Sequence, residues 1–226
     1  MDVNQLAEHC SDLVIDGEEI GGLDVPEELA ATETAPHWDL VGCFLTDRTI
    51  KFDHMQQVFA SVWRPMMGMR VLSLEDDRFL FQFPHAKDMH RVIDDGPWSF
   101  ENQTFVCKEV PSGTRPEDVI LDTVMFWVQI HDLPTAYAKP EFIAQIGDYV
   151  GSFVLEDLNN FGGTWRRSYY RIRVAIRIVE PLKRRMKLNR KDGSSHWVSF
   201  KYERMSTFCF CCGLLGHSDK FVRNIL

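Results

Sequence analysis

Cys209, Cys212 and His217 stand at the spacing C-x2-C-x4-H in the run "FCFCCGLLGH". Thiolate and imidazole are donors that tetrahedral zinc takes, and a C-x2-C pair delivers two sulfurs from one tight turn. Gly213 follows the second cysteine and Gly216 precedes the histidine, so the backbone is free to fold closely round an ion. The pattern C-x2-C-G-x2-G-H fixes five identities, where a lone C-x2-C would carry little weight. Phe210 lies between the two cysteines, a place from which its ring would meet an unpaired base. Tetrahedral zinc asks for a fourth donor, and the fifth residue beyond the histidine is Val222. A valine side chain cannot bind metal. Cys211 points away if its neighbours share an ion, which leaves His196 or a water as candidates to complete the shell.

A second chemistry lies upstream, in "SYYRIRVAIRIVEPL". Strand alternation puts Arg171, Arg173 and Arg177 on one face with Ala175, and Ile172, Val174, Ile176 and Ile178 on the other. Lys183, Arg184, Arg185 and Lys187 follow directly, and Trp165, Tyr169 and Tyr170 lie close by in sequence. Guanidinium groups grip phosphate oxygens in pairs, and aromatic rings offer faces to bases. The pattern is that of a platform for single-stranded nucleic acid. The competing reading is a solvent-facing strand whose arginines pair with the chain's own acids.

Charge distribution bears on that choice. The 226-residue chain carries a net charge of −8. Residues 1–163 hold 10 Lys/Arg against 29 Asp/Glu, whereas residues 164–204 hold 13 against 3. An acidic total thus conceals a basic segment of the kind that faces polyanions.

The elements that must position these groups follow from periodicity. Residues 1–36 hold ten acids and no Lys or Arg and read as an acidic, mostly disordered tail. Residues 37–110 read as β-α-β-β-α-β, the split arrangement of ferredoxin-like and RNA-recognition folds. In its first helix Met55, Val58, Phe59 and Val62 share a face, and Thr49 is placed to cap it. "RFLFQF" sends Phe79, Phe81 and Phe83 to one side, toward the helices. The aromatic readers of an RNA-recognition sheet are therefore not visible there. Residues 111–122 read as a linker. Residues 123–204 read as a smaller α+β region ending in a basic antiparallel hairpin, with Asp192-Gly193 as its turn. Residues 205–226 are the incomplete metal-binding segment. The fold class expected is α+β.

With those residues in place, the C-terminal segment resembles the CCHC zinc knuckle, C-x2-C-x4-H-x4-C, of retroelement-derived proteins. The runs "VWRP", "DGPWSF", "FWVQIHDLP", "RIRVAIRIVEPLKR" and "WVSFKYERMSTFCFCCGLLGH" are similar to a plant family related to LINE-type (non-LTR) retrotransposon proteins. Its members join an N-terminal domain of unknown function to this knuckle. The resemblance covers roughly residues 37–221 and implies nucleic-acid and zinc binding without catalysis. It carries the ligand role to Cys209, Cys212 and His217, with the last position lost at Val222.

Other chemistries find no support. His85 and His90 lie five apart and do not share a helix face as an HExxH pair would. There is no P-loop and no G-x-S-x-G, and no pair of carboxylates sits in a persuasive setting; an enzyme is not expected. No apolar run is long enough to span a bilayer and the N-terminus lacks a secretory pattern. The reading is of an intracellular protein, nuclear or cytoplasmic, with reduced cysteines. Two functions remain. One is non-catalytic binding of single-stranded RNA or DNA. The other is a protein-interaction module, in which the basic strand docks an acidic partner and the knuckle is metal-free.

Overall fold

A computed structural model of the chain describes residues 37–162, 168–190 and 192–218. It shows a mixed α/β architecture with two five-stranded antiparallel sheets and few helices. The acidic stretch 1–36 and Val222 lie outside the described residues. No helix among those described is long and apolar enough to cross a membrane.

The first sheet is built from β1 (Trp38–Phe44), β2 (Arg70–Ser73), β3 (Arg78–Phe83), β4 (Trp98–Phe100) and β5 (Gln103–Glu109), in the order β2-β3-β1-β5-β4. Helix α1 (Phe52–Trp63) joins β1 to β2, and α2 (Ala86–Asp95) joins β3 to β4. The expected order of elements is met with one three-residue strand, β4, inserted before the last. Glu101 and Asn102, both at positive φ (48° and 63°), turn β4 back onto β5, the backbone a two-residue hairpin turn requires.

One face of this sheet carries an aromatic core. Phe79, Phe81 and Phe83 point to the helices, as their alternation predicts, and pack with Phe44, Phe59 and Trp63. Gly42 is needed there, because a Cβ would lie 2.3 Å from the Phe105 ring. In α1 the inward stripe is Met55, Phe59 and Trp63; Val62, expected inward, is exposed. Thr49 does not cap the helix: Lys51 is the N-cap residue and makes no side-chain cap bond. The last turn of α1 has no basic residue. Arg91 of α2 instead donates to the carbonyls of Trp63 (2.8 Å) and Arg64 (3.2 Å), where a cation offsets the helix dipole.

The other face of the first sheet is also buried. Val41, Leu80 and Val106 join a second core with residues from beyond position 118. That core belongs to the second sheet, ordered β7-β8-β6-β10-β9. Its strands are β6 (Thr123–His131), β7 (Ser152–Glu156), β8 (Tyr169–Arg177), β9 (Arg185–Asn189) and β10 (Ser195–Tyr202). Helix α3 (Pro140–Val150) adds Ile143, Ile146 and Val150 to it, and a four-residue α4 (Asn159–Gly162) precedes β8. The segment expected as a linker is built in, with Val119 and Leu121 buried in this core. Polar ties run alongside: Arg78 donates to the carbonyls of Glu117 (2.8 Å) and Val119 (2.9 Å), and Lys108 pairs with Asp122 at 2.6 Å. The basic hairpin is present as β9–β10. Gly193, at φ 81°, sits in its loop, and Asp192 accepts from Ser194 N–H at 2.8 Å.

Candidate zinc and nucleic-acid site

The knuckle segment is a short backbone loop held from both sides. Cys209 N–H donates to Leu214 O and Gly213 N–H to Cys209 O, both at 2.9 Å. Gly213 (φ 81°) and Gly216 (φ 92°) occupy the left-handed region, which glycine adopts at least cost. Thr207 bonds Asn102 of the β4–β5 turn through main chain (3.1 Å) and side chain (2.6 Å). On the far side Leu182 N–H donates to Gly213 O at 2.8 Å.

This fold brings the three expected ligands together. The donor atoms of Cys209, Cys212 and His217 all lie within 4.8 Å of one another, with Cys212 Sγ 3.3 Å from His217 Nε2. Two ligands on one tetrahedral zinc sit about 3.5–3.8 Å apart, so small side-chain adjustments close this set round an ion. The donor chemistry and the spacing fit zinc. Cys209 is buried, whereas Cys212 is exposed and His217 half-buried, so the site opens to solvent on one side. Cys211 is exposed and outside the cluster. His196, a candidate fourth ligand from sequence, instead bonds the Asp132 carbonyl at 2.6 Å. Phe210 stands 72% exposed, its ring edge-on to Phe208 at 5.2 Å.

The arginine face of β8 departs from the expectation of an open cationic ribbon. The alternation itself holds: Ile172, Val174 and Ile176 are buried inward. Arg171, however, grips Glu203 with two donors (3.0 and 2.9 Å) and Asp157 with a third (3.0 Å), and lies 3.6 Å over the Trp127 ring. Burial opposes its charge, but Glu203 and Asp157 outweigh that and hold the guanidinium above its ordinary pKa. Arg173 is only 5% exposed and donates to the carbonyls of Gly96 (2.6 Å) and Ile93 (2.9 Å). It therefore closes the C-terminal end of α2, joined there by Arg204, which donates to Asp95 O at 2.7 Å. Burial draws the Arg173 pKa down against the pull of Asp94, and an arginine remains charged under such shifts. Arg177 is exposed and pairs with Glu180 at 3.1 Å, a surface pair of small worth.

The remaining basic residues divide again. Lys183 donates to the Tyr149 carbonyl and lies 4.7 Å from that ring. Arg184, Arg185 and Lys187 are exposed, and among the described residues none of them is in a salt bridge. Arg185 lies 4.3 Å over the ring of Trp197, a residue sequence reasoning passed over. Its signal was there: with Val198 and Phe200 inward, Trp197, Ser199 and Lys201 must point out.

Two family models match this chain. One, described as a zinc knuckle, covers residues 176–224; the other, described as a domain of unknown function (DUF4283), covers residues 37–118. The zinc-knuckle match takes in the β9–β10 hairpin together with the metal donors. An uncharacterized protein of Arabidopsis thaliana is 26% identical over 98 residues, 43% of this chain and 31% of that protein. The chain thus spans about a third of the length of this curated relative. These matches put a domain of unknown function and a zinc knuckle in one chain.

Proposed function

We propose that this chain is a non-catalytic binder of single-stranded nucleic acid, with zinc ordering the knuckle and the β9–β10 hairpin supplying phosphate contacts. One observation carries the reading. The turn that gathers Cys209, Cys212 and His217 also presents Phe210 to solvent, as base stacking demands. Arg184, Arg185 and Lys187 are exposed cations within the same family match. Retroelement descent is part of the proposal and rests on the sequence runs quoted above. An intracellular setting, which keeps thiolate ligands reduced, is part of the proposal too.

The first sheet belongs to this reading as a scaffold. Its order of elements supports a ferredoxin-like or RNA-recognition-like ancestry. The surface on which such a sheet stacks bases is the one that Val41, Leu80 and Val106 commit to the core.

Fluorescence anisotropy with labelled single strands at two salt concentrations tests the function. Binding at low salt that weakens steeply with added salt is expected, because phosphate contacts release counterions. Phe210→Ala should weaken it. No binding at low salt overturns the proposal and leaves the protein-interaction reading. Zinc competition against a chromophoric chelator tests the metal. A three-donor site should gain at least about tenfold in affinity from Val222→Cys, since complete small zinc sites draw on the order of 10–16 kcal/mol from four ligands. Equal affinities would show that the wild-type shell is already complete.

A further inference from the structure

The outward face of the second sheet joins the hairpin cations Arg185 and Lys187 to side chains that the proposed function does not use, Trp197, Lys201, His131 and Tyr169. Strand register lines them up. Tyr169 of β8 is opposite His131 of β6, His131 is opposite Ser199 of β10, and Ser199 is opposite Arg185 of β9. Two pairs further along the hairpin, on the same face, Trp197 is opposite Lys187. Lys201 lies two residues from Ser199 on the same side of β10. The inward partners Val128, Ile130, Val198 and Phe200 are buried, so alternation leaves these residues facing out.

We infer that this face is a second contact surface for single-stranded nucleic acid, with bases stacking on Trp197 and on the His131–Tyr169 pair, and phosphates held by Arg185, Lys187 and Lys201. The inference rests on the nucleic-acid reading above and shifts most of its contact area from the knuckle to the sheet. Three observations support it. The Trp197 side is 47% exposed and already carries Arg185 stacked at 4.3 Å, an arrangement that takes a base on ring or guanidinium plane. The His131 and Tyr169 rings lie 5.2 Å apart at a tilt of 37°. With strands about 4.8 Å apart and alternate residues about 6.8 Å apart along a strand, Trp197 lies on the order of 8 Å from His131 and 12 Å from Tyr169. Those distances suit a short run of unpaired bases. Finally, the surface is cationic in a chain of net charge −8.

The paired arginine of β8 acquires a role in this arrangement. Arg171 holds Glu203, Glu203 accepts from Gln129 Nε2 at 2.9 Å, and Gln129 Oε1 lies 3.0 Å from His131 Nε2. With the amide nitrogen committed to Glu203, the amide oxygen is the acceptor, so Nε2 of His131 carries the hydrogen. Arg171 is thus a positioning residue that orders the imidazole without touching nucleic acid.

The test uses the full chain with short labelled oligo-U RNA and oligo-dT DNA in separate arms at low salt. Trp197→Ala should weaken binding about 5- to 160-fold, the range that loss of a base–aromatic stack produces. Lys201→Glu should weaken it in both arms. A loss confined to one arm would assign the surface to that polymer and still support it. Photocrosslinking of wild type to halogenated oligonucleotides, mapped by mass spectrometry, provides a readout that does not depend on a variant's folding. Crosslinks in peptides holding Trp197, His131 or Tyr169 support the surface; crosslinks confined to the knuckle peptide overturn it. If wild type binds and both variants bind equally well, this inference fails while the proposed function stands. If wild type binds neither polymer, the proposed function fails as well.

Discussion

The arginines of β8 and the cations of the β9–β10 hairpin come from one basic stretch of sequence, yet the fold treats them oppositely. Strand β8 is flanked by β7 and β6, and its outward Arg171 and Arg173 meet neighbours, whereas Arg177 at its end stays exposed. Arg171 meets Trp127, Asp157 and Glu203, and Arg173 meets the open end of α2. Strand β9 is the edge of the sheet, and Arg184, Arg185 and Lys187 on it and just before it remain exposed. Position in the sheet, more than charge, separates the arginines tied into the structure from the cations left exposed. A desolvated guanidinium with fixed partners has little left to offer a phosphate, whereas an edge cation gives up only water and side-chain freedom.

The strongest way to break this comparison is Arg173→Ala. Removing the guanidinium strands one buried and one half-buried carbonyl at the end of α2, and a loss of about 2–4 kcal/mol in urea denaturation is expected. A loss near zero would mean that Arg173 is no tie at all. Glu203→Gln comes next. It leaves Arg171 with Asp157 as its carboxylate and should cost about 1–2 kcal/mol, discounted for partial solvent screening. Third, changing Arg184 and Lys187 to Gln together should leave the thermal midpoint almost unmoved, within about 0.5 kcal/mol. A large loss there would put the hairpin cations in the same class as Arg173.

The smallest effect concerns His131. Burial, and then the charge of Lys201, hold its imidazole below the ordinary 6.5. Between the two pKa values the unfolded chain binds more protons than the folded one. This contribution to stability is therefore complete above pH 6.5 and declines as pH falls through the folded-state value. A titration of the His131 ring by NMR should show the lowered pKa, and Lys201→Gln should move it back upward.

Much of this was legible in the residues. Alternation placed Phe79, Phe81 and Phe83 inward and split β8 into an apolar and a basic face, because strand geometry leaves side chains no other choice. The cysteine and histidine spacing placed three donors on one loop. The second burial of the first sheet was signalled by apolar Val41, Leu80 and Val106 on its far face, but what covers them depends on packing between sheets. The fate of Arg171 and Arg173 was not legible, since it rests on a carboxylate 32 positions away and on carbonyls 77 and 80 positions away. No local pattern encodes such partners. The three-residue β4 was too short to leave a period, and the cap role given to Thr49 fell to backbone geometry at Lys51. The outward placement of Trp197 and Lys201 follows from the period-two pattern of β10, but no local cluster of charge marks them as it marks β8.

The central claim is that hairpin cations, and not the β8 arginines, meet the phosphates of a single strand. The most direct test is the slope of log affinity against log salt for a short single-stranded oligonucleotide. Each phosphate contact contributes a slope of about −0.7. Replacing Arg184, Arg185 and Lys187 by Gln together should flatten the slope by about 2, while Arg177→Gln should change it by less than one contact. An unchanged slope in the triple variant, or a larger change from Arg177→Gln alone, would contradict the account.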